Sequence, residues 1–116
     1  MYPVAMPIEA KQMGDGVAVV TVAGRLVLGK EIEQLETTVT GLLGRGSRKF
    51  VFDLGKLDYA DSSGVGTFVA CLTSIRKAGG EMRMAGVNSR ILRLFQITGV
   101  DHLMTVYPTV AEAAAG

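Results

Sequence analysis

The spacing of apolar positions changes repeatedly along the chain, and each change marks an element. Residues 17–23 (Val-Ala-Val-Val-Thr-Val-Ala) are mostly β-branched and almost wholly apolar, the composition of a strand covered on both faces. Residues 50–54 (Phe-Val-Phe-Asp-Leu) predict a second buried strand. Residues 81–85 alternate polar and apolar, as a strand near a sheet edge does, and residues 103–107 supply a short last strand. Residues 4–13 predict a weak first strand, which Pro7 pushes toward an edge, and Gly14-Asp15-Gly16 is a hairpin-type turn after it.

Between these strands the apolar spacing becomes helical. Over residues 30–43, Ile32, Leu35, Val39, Leu42 and Leu43 fall on one face, with Glu31, Glu33, Glu36 and Thr40 on the other. The acidic residues sit in the first half, where the helix dipole favours them. Residues 62–77 carry a stripe of Val65, Phe68, Val69, Leu72 and Ile75. A third helix, residues 90–98, has Asn88 or Ser89 as cap and Gly99 as stop. Thr109 and Glu112 have capping-box spacing and open an Ala-rich terminal helix. Residues 24–29 and 55–61 fall between periodic segments and are expected as loops. Strands alternating with helices imply right-handed crossovers and a largely parallel sheet. The expected fold is a compact α/β domain with a mixed sheet of four or five strands and about four helices.

Composition narrows the function classes. A chain of 116 residues with 48% apolar residues fits one folded domain, here assigned to residues 1–116. Twelve Lys and Arg against eleven Asp and Glu leave a net charge of +1. That is too little positive charge to make nucleic acid the expected direct partner. A single cysteine, Cys71, and a single histidine, His102, argue against an intrachain disulfide, a Cys-based metal cluster or a multi-His metal site. Cys71 is expected as a buried inert thiol and His102 as a solvated loop residue. The apolar stretches are far shorter than a membrane span, and the first residues lack the pattern of a signal peptide. A cytoplasmic protein without membrane contact, metal or cofactor is the expectation.

Two segments carry candidate chemistry. Residues 24–30 (Gly-Arg-Leu-Val-Leu-Gly-Lys) have the glycine and lysine spacing of a phosphate-binding loop between a strand and a helix. Glu31 stands where such a loop needs Ser or Thr, and the loop interior is bulky, so a strand-to-helix turn with one apolar side chain tucked beneath is the competing assignment. The second segment is Asp61-Ser62-Ser63-Gly64-Val65-Gly66. Asp61 or Ser62 can cap the following helix. A cap does not account for Gly64 and Gly66, each of which costs a helix roughly 1 kcal/mol relative to Ala. Bare positions there serve close approach of another backbone or a phosphate donor. A hydroxyl at a helix N-terminus is also suited to phosphorylation, because the free amides and the dipole tolerate negative charge. The segment is not a nucleophile elbow, since Ala60 and Asp61 stand where a glycine would be required.

Taken together, residues 50–54, the Leu57-Asp58-Tyr59-Ala60-Asp61-Ser62-Ser63-Gly64-Val65-Gly66 run, Gly79-Gly80-Glu81-Met82, and Leu92-Arg93-Leu94-Phe95 through Thr98-Gly99-Val100 resemble the STAS domain. More narrowly, they resemble bacterial anti-sigma-factor antagonists. The resemblance runs from about residue 10 to 115. It implies a STAS-like single domain that is not an enzyme. Its unmodified form would bind an anti-sigma factor with serine kinase activity, and a phosphatase would reset it. The phosphorylated residue would be Ser63, with Ser62 as the alternative and otherwise left for the cap, and Asp61 would be the acidic neighbour. The implied partner-binding face comprises Asp61, Ser62, Ser63, Gly64, Val65 and Gly66 with Arg25 and Val27. Val27 departs from the family, whose members commonly carry Asp at that position; Gly24 matches a family turn. Two other classes share these features: a STAS scaffold or sensor that is not phosphorylated, and a nucleotide-binding protein using residues 24–30.

Overall fold

Residues 8–116 are described by the computed structural model; the part of the expected first strand that falls on residues 4–7 lies outside them. Side-chain alternation along three parallel strands, β2 (Val17–Val22), β4 (Lys49–Asp53) and β6 (Glu81–Ala85), builds a two-faced sheet. Ala18, Phe50 and Met82 share one row, and Val20, Phe52 and Met84 share another. All six are buried on one face. The intervening positions, among them Val19, Val51 and Ala85, point to the other. β1 (Ile8–Gln12) joins β2 antiparallel through the Gly14-Asp15-Gly16 turn, and β7 (Thr105–Tyr107) adds in parallel, giving the order β1-β2-β4-β6-β7.

Helices cover both faces. α1 (Lys30–Gly44) and α2 (Ser62–Lys77) pack on each other over the first face. Phe68 of α2 stands edge-on between Phe52 and Phe95, with ring centroids 6.0 and 5.8 Å away. Such aromatic pairs add about 0.5–1.5 kcal/mol each beyond the area they bury. Phe95 belongs to α3 (Ser89–Thr98). α4 (Val110–Ala115) lies on the opposite face, where Ala113 meets Val19, Val51 and Ala85. The buried strands are therefore covered twice, as their unbroken apolar runs require.

Local chemistry sets the helix ends. Asn88 accepts a hydrogen bond from the Ile91 N–H (2.8 Å) and donates to the Leu57 carbonyl (2.9 Å), so one side chain caps α3 and ties it to the strand beneath. Gly99, with φ 79°, takes the left-handed conformation that ends α3. Thr109 caps α4 by accepting from the Glu112 N–H.

Three expectations are corrected. Residues 24–29 and 55–61 are not both loops: β3 (Gly24–Leu26) and β5 (Leu57–Ala60) pair in parallel as a separate two-stranded sheet. Strands of three and four residues are too short to show a period, and each finds its partner across a helix and a strand. The last strand begins at Thr105 rather than 103, because Val100–His102 forms a 3-10 turn and the Leu103 N–H is spent on the Val100 carbonyl (2.9 Å). The α2 cap is Asp61, and Ser62 is the first helical residue.

Candidate functional site

β5 delivers the chain to the start of α2, and β3 delivers a second segment beside it. Asp61 joins the two. One carboxylate oxygen accepts from the Gly64 N–H at 2.8 Å, capping α2. The other accepts from the Leu28 N–H at 3.1 Å, fixing the loop that follows β3. The Asp61 N–H donates to the Leu26 carbonyl at 3.2 Å. These amide donors, Gly64 first and Leu28 second, hold the Asp61 carboxyl below its ordinary value. Asp61 is therefore a junction between loop and helix.

Gly64 makes the junction possible. It is buried, and a Cβ there would run into the Leu26 carbonyl oxygen, closer than real Cβ atoms come to a backbone atom. The backbone that approaches Gly64 is thus the chain's own. Gly66 differs: it is exposed, has no positive φ, and a Cβ there would meet open space. Its bareness serves no internal contact.

The expected site residues divide by depth. Ser62 is exposed and Ser63 half-buried on the first turn of α2, with Gly66 exposed one turn on. Val27 is half-buried and Arg25 exposed on the neighbouring segment. The Arg25 guanidinium lies over the Tyr59 ring, 4.6 Å from its centroid. Val65 is 6% exposed and turns into the core, so like Gly64 it shapes this face from beneath. Leu28, 77% exposed, stands on the same loop; the apolar side chain tucked under that loop is Leu26. Sequence reasoning did not single out Leu28 or Tyr59, whose positions follow from the β3–β5 pairing.

Residues 24–30 do not form a phosphate cradle. Gly24 to Leu26 are strand, the Leu26 side chain is fully buried, and the Leu28 amide is committed to Asp61. Cys71 is buried, and burial, with Glu36 nearby, pushes its thiol up to about 12. His102 is exposed beside Asp101, 3.9 Å away. Among the described residues no three His, Cys, Asp or Glu side chains converge as metal ligands, and no helix is long and apolar enough to cross a membrane.

Known proteins are similar to this chain in sequence and in fold. The anti-sigma-B factor antagonist of Staphylococcus aureus is 37% identical over 75 residues, which are 65% of this chain and 69% of that protein. An anti-sigma factor antagonist from Mycobacterium paratuberculosis superimposes with a TM-score of 0.77 at 23% identity, covering 93% of this chain and 90% of the other. The Bacillus cell fate determinant SpoIIAA, solved in its phosphorylated form, superimposes with a TM-score of 0.74 at 19% identity over 93% of this chain and 96% of its own. At such identities the likeness of the two structures is one of fold. A family model described as STAS domain matches residues 9–113, and by that match the chain belongs to the STAS domain family.

Proposed function

We propose that this protein is an anti-sigma-factor antagonist acting in the cytoplasm as a partner switch. Unmodified, it binds an anti-sigma factor with serine kinase activity through the start of α2 and the loop after β3. The partner transfers the γ-phosphoryl group of bound ATP to the Ser63 Oγ, releasing ADP and the hydroxyl proton. A phosphatase hydrolyses the phosphoester and restores the binding form.

The supporting observation is the division of labour between Asp61 and Ser63. Asp61 caps α2 and holds the loop, so the Ser63 hydroxyl is not needed for either contact. A phosphate adds about −1.5 to −2 charges at pH 7. The Gly64 amide is already taken by Asp61, so that charge stays at the surface rather than being drawn into the cap. The helix N-terminus tolerates it, whereas a partner packed against a neutral hydroxyl does not. A loss of a few kcal/mol suffices, since each 1.4 kcal/mol is tenfold in affinity.

One observation favours a second reading, a binder that is never phosphorylated: Val27, half-buried beside the site, offers no carboxylate where the family resemblance implies an Asp. Incubating the protein with purified anti-sigma factor and Mg-ATP, then mapping phosphate by mass spectrometry, decides between them. The proposed switch takes up phosphate on Ser63, and Ser63→Ala takes up none. Stable binding with no phosphate on Ser63 establishes the second reading. Phosphate on Ser62 alone moves the switch by one residue.

A further inference from the structure

A groove of about 230 Å3 runs between β5 and α3, floored by Ala60 and Ile91 and walled by Tyr59, Leu94 and Ile97. Ile97 is 74% exposed and Tyr59 43%, so large apolar surface faces water there. Along α3, Arg90, Arg93, Leu94 and Ile97 follow one another at the spacing of a single helix seam.

Charge tells what covers it. α3 has no acidic residue in its first turn, and Arg90 is its second residue. A cation there opposes the helix dipole, which favours negative charge at an N-terminus. Among the described residues no carboxylate lies within ion-pair distance of Arg90, Arg93 or Arg25. Two guanidinium groups, Arg90 and Arg93, thus line an apolar groove with no carboxylate of the described residues to pair them. The groove is also continuous with the Ser63 face: Tyr59, one of its walls, carries Arg25 over its ring, and Ala60 on its floor precedes Asp61.

We propose that this groove receives an amphipathic helix of the protein partner. The helix's apolar stripe would seat on Leu94 and Ile97, and its carboxylates would meet Arg90 and Arg93. The identity of the partner as the anti-sigma factor rests on the proposed function; the acidic helix rests on the groove alone.

The first test uses isotope-labelled protein and two synthetic amphipathic peptides, both with Leu at i, i+3, i+4 and i+7, one flanked by Glu and the other by Lys. The Glu peptide shifts backbone amide resonances of β5 and α3 and binds at least tenfold more tightly than the Lys peptide; Arg93→Glu removes the preference. Equal binding of the two peptides, or shifts centred elsewhere, overturns the proposal. So does occupation of the groove by a second copy, seen as concentration-dependent shifts of α3 without peptide. The second test measures affinity for purified anti-sigma factor with Ser63→Asp and with the double variant Arg93→Glu, Ile97→Glu. Both positions are exposed, and an unchanged melting temperature checks that the double variant folds. At least tenfold weakening by each supports one partner spanning both surfaces. Weakening by Ser63→Asp alone overturns the groove and leaves the proposed function standing. Failure of the wild-type protein to bind the anti-sigma factor overturns the proposed function, while the peptide titration still decides the groove.

Discussion

Replacing Gly64 or Gly66 with Ala adds the same methyl group to the same helix, yet the two changes should have opposite signs. In a free helix either change gains about 1 kcal/mol, and neither glycine has a positive φ that would penalise Ala. At Gly66 the new Cβ meets nothing, so the gain of about 1 kcal/mol stands. At Gly64 it collides with the Leu26 carbonyl oxygen and lies 3.2 Å from the Leu26 carbonyl carbon and Cγ. These are backbone and buried atoms, so α2 must draw back from β3. Overpacking of this kind costs about 1–3 kcal/mol. Withdrawal also stretches the bond from the Asp61 N–H to the Leu26 carbonyl, worth about 1 kcal/mol. Subtracting the helix gain leaves a net loss of about 1–3 kcal/mol at Gly64. For a domain of this size each kcal/mol moves the melting temperature by roughly 4 °C. Urea and thermal unfolding should therefore find Gly64→Ala lower by about 4–12 °C and Gly66→Ala higher by about 4 °C. Gly66→Ala should also bind the partner more weakly despite its stability. A Gly64→Ala protein as stable as wild type refutes the close packing of α2 on β3. A Gly66→Ala protein that loses stability and keeps its affinity removes Gly66 from the binding face.

Other consequences are as direct. The Asp61 carboxyl titrates below its ordinary value of 3.8 because the folded state favours the charged form, so its contribution is complete above that value and fades as pH falls through the lower folded value. Asp61→Asn should lower the melting temperature at pH 7, with the deficit shrinking in acid below pH 3.8; a deficit independent of pH would contradict the role of the charge. Asn88→Ala removes both the α3 cap and the donor to the Leu57 carbonyl and should cost about 2 kcal/mol or more in urea unfolding. Cys71, buried and with its thiol pushed up to about 12, should resist a thiol reagent at pH 8 in the native protein and react fully in denaturant; rapid native labelling would place it at the surface.

The parts of the fold visible in the sequence are those in which a local signal agrees with the packing. The apolar stripe on residues 62–77 marks α2 to the residue, and the doubly buried β2 and β4 are legible from their unbroken apolar runs. β3 and β5 are hidden because their stability comes from each other and from Leu26 and Leu57 entering the core, not from any period of their own. The site follows the same division. Asp61 and Gly66 can be picked out because capping and glycine cost are local chemistry, whereas Ser63 is singled out by the family resemblance. That Gly64 bends to the chain's own backbone, that Leu28 points outward, and that Tyr59 and Ile97 border a groove are consequences of the β3–β5 pair and of α3 packing beside it.

Charge on Ser63 is expected to release the partner without disturbing the fold. The most direct measurement is the calorimetric affinity of purified anti-sigma factor for the unmodified protein and for protein stoichiometrically phosphorylated on Ser63, with melting temperatures recorded for both. A charge switch at Ser63 requires binding of the unmodified form, at least tenfold weaker binding of the phosphorylated form, and nearly equal melting temperatures. Equal affinities, or weaker binding that accompanies a collapse in stability, would contradict it.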